Sequence, residues 1–307
     1  MAKVKKGVIA AAGRGTRFLP VTKAYPKELV PILEKPNIQY LVEELLAAGV
    51  DEIAIVHRHA DPALKRYFTP DKELEKFLKE NSKEAFLESL KRIWQKAKAL
   101  RFIPQPQHLP YGNASPVLAA KNFLKNDPFV FMFGDDLLIE KKTGQYLKKL
   151  ISYYEKYQPA IILGAQEVSR KEISRYASIK YQDDPHYPYR ASAVLEKLPA
   201  EKAPSLVAQF GRFVVSPEIF PVLAAQELSR DNELWFADAV NTLAKTKVAL
   251  AVPLTDAAWM TTGDPLRWLE TNLVVGLSHP QIGPELKKFL KKNLQAENLS
   301  FSSLTKK

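Results

Sequence analysis

The chain has no cysteine among its 307 residues, which excludes disulfides, thiolate zinc sites and cysteine nucleophiles. Its five histidines show no metal-ligand spacing. Any metal must therefore sit on oxygen ligands, a donor set that suits magnesium. Long apolar runs are missing too: no stretch approaches the ~18 apolar residues of a membrane span. The basic start, Met1-Ala2-Lys3-Val4-Lys5-Lys6, soon reaches Gly13-Arg14-Gly15, so the apolar run between them is too short for a signal-peptide core. These absences predict a cytoplasmic protein with no membrane partner. Neither an internal repeat nor a linker interrupts the chain, and one elaborated domain is expected over residues 1–307.

A hydrophobic content of 46% and an aromatic content of 10% are enough for a large core. The net charge of +11 fits either a nucleic-acid surface or a cationic field that gathers small polyanionic substrates. Lysines and arginines are spread along the chain without basic–aromatic clusters. That favours small polyanions, with no nucleic-acid partner.

Val4 to Ala12 is a short β-rich run ending in small residues and a Gly-Arg-Gly loop, the pattern of a buried strand entering a phosphate-handling turn. Ile38, Leu41, Val42, Leu45 and Leu46 fall on one helical face that Gly49 stops, and Asp51 to Val56 reads as a second strand. This β-loop-α-β order predicts an α/β fold with a mostly parallel sheet flanked by helices. Residues 71–100 read as a charged helical insertion, with Leu74, Phe77, Leu78, Phe86, Leu90, Ile93 and Trp94 as its apolar positions. Strands are expected at Phe102-Ile103, Phe129–Phe133, Ala160–Ala165, Gly211–Val215 and Val248–Val252. Helices are expected at 147–154, 217–226, 236–245, 265–276 and 283–294, with a frayed last dozen residues.

Chemistry-bearing residues concentrate in Ala11-Ala12-Gly13-Arg14-Gly15-Thr16-Arg17-Phe18-Leu19-Pro20 and Thr22-Lys23-Ala24-Tyr25-Pro26-Lys27-Glu28-Leu29. Glycines let backbone N–H groups close around a triphosphate, and Arg17 and Lys27 can neutralise charge developing on it. A Gly-rich loop alone also fits an ordinary turn. Phe131-Met132-Phe133-Gly134-Asp135-Asp136 carries two carboxylates to a strand end, where α/β ligands gather, although paired acids there also make caps and turns. Glu196-Lys197 follows the apolar run Ala193-Val194-Leu195 and could equally be an exposed ion pair.

Together these segments resemble the bacterial UTP–glucose-1-phosphate uridylyltransferase family, which opens A-A-G-x-G-T-R-F-L-P and continues T-K-A-x-P-K-E. The likeness extends in order through Lys35-Pro36, Gln105, Gly134-Asp135-Asp136, Glu196-Lys197, Ala203-Pro204-Ser205, Gly211-Arg212 and Pro217-Glu218-Ile219-Phe220. It implies a Rossmann-like α/β fold of the nucleotide-diphospho-sugar transferase type, its sheet mixed but mostly parallel and flanked by helices. Residues 1–168 would be the nucleotide-binding core, 169–265 the sugar-phosphate part and 266–307 the C-terminal helices. The resemblance also implies that Gly13, Gly15 and Thr16 hold nucleotide phosphates and that Lys27 contacts the reacting phosphorus. Gln105 would read uracil, helped by backbone groups of Ala11, Ala12 and Gly112. Asp135 would bind magnesium with Asp136 as its supporting neighbour, and Glu196, Lys197, Ala177 and Asp136 would meet the sugar phosphate. The small-molecule substrates implied are UTP and glucose 1-phosphate, and family members associate as homo-oligomers.

Four departures stand out. The family's G-L-G-H-A reads Pro110-Tyr111-Gly112-Asn113-Ala114, and its Y-G pair reads Tyr176-Ala177. Its E-x-Q-L-T-D-A reads Glu233-Leu234-Trp235-Phe236-Ala237-Asp238-Ala239, and its late D-x-G reads Thr261-Thr262-Gly263, followed by Asp264. They leave open another sugar, dTTP in place of UTP, or a catalytically silent regulatory relative.

Overall fold

The structure, a computed structural model, describes residues 3–58, 62–96, 99–229 and 231–294. The frayed tail expected after 294, like residues 97–98 of the helical insertion, lies outside the described residues. The first strand, β1 (Lys6–Ala11), is flanked by β4 (Glu52–His57) and β6 (Phe129–Phe133), with β5 (Leu100–Pro104) beyond β4. The sheet continues from β6 through β11 (Val207–Val215), β8 (Ile161–Glu167), β12 (Ala249–Pro253) and β10 (Arg190–Glu196) to β9 (Ala177–Tyr181). Two small antiparallel pairs stand apart: β2 (Pro31–Ile32) with β3 (Lys35–Pro36), and β7 (Asp136–Glu140) with β13 (Ala257–Thr261).

The sheet is mixed, as expected, but the expectation that it is mostly parallel is corrected: antiparallel ladders outnumber parallel ones. Pairings β1–β4, β1–β6, β4–β5 and β8–β12 are parallel. Strand β11 runs back between β6 and β8, and β10 runs back between β12 and β9, so the remaining ladders are antiparallel. Parallel neighbours need long crossovers, whereas the short polar loop between Tyr181 and Arg190 can join only antiparallel ones.

Because side chains alternate along a strand, the central strands feed two cores. Val8, Ala54, Phe129 and Phe131 face a layer containing α5 (Ser115–Ala119), α8 (Ile219–Ala225) and α9 (Phe236–Thr246). Ile9, Ile53, Val130 and Met132 face α1 (Asn37–Ala47) and α7 (Gln145–Tyr157). Gly49 ends the first of these helices at a φ of 88°.

The helical insertion forms α3 (Lys72–Glu80) and α4 (Glu84–Lys96) after the short α2 (Ala63–Tyr67). Leu78 and Leu87 are buried there, while Leu74, Phe77 and Phe86 remain exposed. Two helices packed mainly on each other have too little partner surface to cover every apolar position. A four-residue helix, α6 (Lys121–Leu124), leads to β6, and α10 (Pro265–Ser278) and α11 (Gly283–Leu294) close the described chain. No described helix is long and apolar enough to cross a membrane.

Candidate active site

Several strand ends open onto one cleft of about 320 Å³. Along its glycine-loop wall, Ala12, Gly13, Arg17 and Lys27 line the space. Ala11 is buried in β1, and Gly15 and Thr16 lie off the lining. Gly15 has a φ of 63°, and a Cβ there would come within 2.9 Å of Thr22 Cγ2, so the turn requires glycine. The Thr22 hydroxyl donates to the Gly15 carbonyl at 2.7 Å, which fixes the loop over Lys27.

Lys27 Nζ donates to Asp135 Oδ2 at 2.5 Å across the cleft. Burial alone would lower the Lys27 pKa, but Asp135 and Glu28 outweigh it and hold the ammonium above its usual value. Burial would likewise raise Asp135, yet Lys27, supported by Arg17, keeps it below the ordinary carboxylate range. The pair is charged at neutral pH, and an arriving phosphate can compete with Asp135 for Lys27. Arg17 Nη1 donates to the Gly263 carbonyl at 3.3 Å, placing its guanidinium at the same wall.

Sequence reasoning singled out neither role nor environment for Glu28, which is 1% exposed and lines the cleft. Both carboxylate oxygens are buried without a hydrogen-bond partner among the described residues, and Lys27 Nζ is 3.9 Å from Oε1. Burial pushes this carboxyl up to about 7 against the pull of Lys27.

The two adjacent aspartates are not equivalent. Asp136 is buried at the start of β7, where Oδ2 accepts the Gly211 N–H at 2.7 Å. Burial and then the Asp135 charge push it up to about 6. Behind it Arg212, with no exposed surface, forms a two-pronged pair with Glu44 at 2.7 Å on each prong and donates to the Asp136 carbonyl at 3.0 Å. Both aspartates line the cleft, and Asp135 is the more exposed of the two. Its backbone carbonyl accepts from Thr262 N at 2.7 Å, and Thr261 lies opposite Asp136 in the β7–β13 pair.

No group of three or more histidine, aspartate or glutamate side chains that could hold a metal occurs among the described residues. Magnesium needs no such cage, because one or two carboxylates with substrate phosphates and water complete its shell. Asp135, with the Thr261 hydroxyl nearby, is a donor set of that kind, and its Oδ2 lies 2.9 Å from where a Cβ on Gly263 would stand. Asp264 lies off the cleft lining. Its carboxylate caps α10 by accepting from Arg267 N at 3.0 Å and pairs with Arg175 at 2.8 Å.

At one end of the cleft Gln105 follows β5, its N–H bonded to the His57 carbonyl at 2.8 Å and its Oε1 buried with no partner among the described residues. Gly112 has a φ of 145°, and a Cβ would lie 2.3 Å from the Leu234 carbonyl oxygen, so this wall is closed by backbone touching backbone. Asn113, the departure in this loop, accepts the Phe236 N–H at 2.6 Å through Oδ1. Its side chain thus satisfies an orphan donor at the start of α9.

At the opposite end the β9–β10 register sets Ala177 against Glu196, and Lys197 N donates to the Tyr176 carbonyl at 3.1 Å. Burial pushes Glu196 up to about 6 while Lys197, 3.7 Å away, opposes the shift. The Lys197 ammonium sits 4.9 Å from the centre of the Trp235 ring. Gln209, Phe210 and Trp259 also line this end. Gln209 and Phe210 stand in the part of β11 before Gly211 and Trp259 in β13, outside the strands expected from the sequence.

The fold and cleft define an α/β enzyme that handles nucleotides at its strand ends. Residues 6–275 match the family model for nucleotidyl transferases. The UTP–glucose-1-phosphate uridylyltransferase of Streptococcus pneumoniae is 38% identical over 291 residues, 94% of this chain and 95% of that protein. That of Bacillus subtilis is 35% identical over 299 residues, 97% of this chain and all of that one. A UTP-bound UGPase from Acinetobacter baumannii superposes with a TM-score of 0.83 at 28% identity, over 94% of this chain and 99% of that one. A UDP-glucose pyrophosphorylase complexed with UDP-glucose gives 0.78 at 32% identity, over 90% of this chain and all of that one. The chain belongs to the nucleotidyl transferases and, among them, to the bacterial UTP–glucose-1-phosphate uridylyltransferase family.

Proposed function

We propose that this chain transfers the uridylyl group of UTP to glucose 1-phosphate, giving UDP-glucose and pyrophosphate. The observation that carries the reading is the single cleft that joins Gln105, the Lys27–Asp135 pair and Glu196-Lys197 in that order of function. Full-length relatives that carry this activity in their names support it.

In the reaction a phosphate oxygen of glucose 1-phosphate attacks the α-phosphorus of UTP. A P–O bond forms there, the bond to the β-phosphate oxygen breaks, and pyrophosphate leaves with the electron pair. The nucleophile is already ionised, so no general base is required. Lys27 and Arg17 neutralise charge on the α-phosphate and its leaving group, and Lys197 holds the sugar phosphate in line. Gly13 and Ala12 close the backbone around the triphosphate, with Gly15 and Thr16 shaping the turn from outside the lining. Gln105 offers uracil both a donor and an acceptor, with Gly112 giving the ring a close backbone wall and buried Ala11 supporting the strand end. Glu196 accepts sugar hydroxyls beside Ala177, and Asp136 anchors the acidic turn.

Magnesium would be held by Asp135 with the substrate phosphates and would supply charge neutralisation across them. Self-association as a homo-oligomer is supported by Leu266, Leu269 and Leu273, an exposed apolar row at helical spacing on α10. The reading places the enzyme in the cytoplasm.

The test is a matrix of UTP, dTTP, ATP and GTP against sugar 1-phosphates, with pyrophosphate release as readout and the purified chain as sole protein. UTP with glucose 1-phosphate should lead and dTTP should follow by a modest factor, since one methyl group is worth only ~1–3 kcal/mol in a pocket. No turnover with any pair would instead make the chain a silent relative.

A further inference from the structure

Gln209 and Trp259 each bring an unsatisfied buried atom to the sugar end of the cleft. Gln209 is 6% exposed, and its Oε1 has no hydrogen-bond partner among the described residues. The indole Nε1 of Trp259 is buried in the same condition. It lies close enough to Asp136 to favour that carboxylate's ionised form, but without hydrogen-bond geometry to it. Both residues flank Tyr176-Ala177: Ala208, beside Gln209, pairs with Ser178, and the Trp259 ring meets Tyr176 edge-on at 4.8 Å. Phe210 stacks on the same indole at 5.3 Å, so two neighbouring rings hold it in place.

A buried acceptor and a buried donor without partners are costly, and they persist where a ligand completes them. One buried acceptor and one buried donor side by side match the edge of a pyranose, which carries hydroxyls that can both donate and accept. Trp259 also shares its strand face with Thr261, two residues on, where the family pattern has aspartate. That face of β13 therefore offers the cleft an aromatic ring and a hydroxyl in place of a charge.

We propose that Gln209 and Trp259 select the acceptor sugar in this chain, Gln209 Oε1 accepting from one sugar hydroxyl and Trp259 Nε1 donating to another. The assignment rests on the reading of the cleft as a sugar 1-phosphate uridylyltransferase site.

The experiment compares wild type with Trp259→Phe, which keeps the ring and removes the N–H, and with Gln209→Met, which keeps the length and removes the amide. Each is assayed at saturating UTP with glucose 1-phosphate and its monodeoxy analogues, and UTP binding is measured separately by calorimetry. The KM for glucose 1-phosphate should rise about tenfold in each variant with UTP affinity unchanged. For each variant, one monodeoxy analogue that is poor with wild type should become as good as glucose 1-phosphate, because the lost hydroxyl no longer has a partner. A purely structural role would instead weaken UTP binding or shift all analogues alike. An unchanged KM and an unchanged analogue pattern overturn the assignment while leaving the functional reading intact. A wild type that turns over no sugar 1-phosphate overturns both.

Discussion

Replacing Glu28 by glutamine should remove a pH-dependent loss of stability that wild type carries above about pH 5. Glu28 is 1% exposed, and burial raises its carboxyl from 4.5 to about 7. An acid whose folded pKa is raised binds more protons folded than unfolded. Its contribution to stability is therefore intact below about 4.5 and falls as pH rises, reaching its full loss above about 7. At 1.36 kcal/mol per pKa unit that loss is about 3 kcal/mol. Lys27 is held above its usual value and Asp135 below its own, so neither titrates in this window. Asp136 and Glu196, each raised to about 6, titrate in both proteins and cancel in the difference. Urea unfolding between about pH 4.5 and 8, fitted with a common m value, gives that difference directly. It should grow in favour of Glu28→Gln by about 3 kcal/mol from the acidic to the alkaline end. A difference that stays constant within about 1 kcal/mol would refute the argument that burial governs this carboxyl.

Lys27→Ala and Asp135→Asn should fold normally yet lose ~100- to 1000-fold in kcat, as expected for charge stabilisers in a preorganised site; near-wild-type turnover in either assigns the role elsewhere. Asp264→Ala should cost about 1 kcal/mol through the lost α10 cap while activity falls less than about tenfold, and complete loss with an intact melting curve would show that Asp264 holds the metal. Glu44→Leu alone should destabilise by about 3–5 kcal/mol because it strands the Arg212 charge, whereas Glu44→Leu with Arg212→Met should recover much of that; equal losses in single and double variants would contradict it. Gln105→Ala should narrow the preference for pyrimidine over purine triphosphates, measured as a ratio of kcat/KM, and an unchanged ratio would remove Gln105 from base recognition.

The first half of the fold was readable because its signals are local. Apolar runs such as Phe129–Phe133 and the spaced face of Ile38 to Leu46 lie within single elements, and the structure returns them as β6 and α1. The second half was misread in direction. Whether β11 runs with or against β6 depends on pairing between residues some eighty positions apart, as in Arg212 opposite Met132. No local pattern records that choice. The cleft divides in the same way: Lys27, Asp135 and Lys197 were legible from motifs and Gln105 from the family resemblance, whereas Glu28, Gln209 and Trp259 carry no spacing signal.

By itself the sequence determined the chemistry available: oxygen ligands only, a glycine turn beside Arg17 and Lys27, and acids at a strand end. These follow from residue type and from periodicities set by backbone geometry. The tertiary structure decided which of them meet. It set Lys27 on Asp135, sealed Glu28 from water, spent Asp264 on a helix cap and turned Asn113 to the start of α9. Burial and partner choice depend on long-range packing, and they fix both the pKa values and the free hydrogen-bonding atoms with which a cleft of this kind can work.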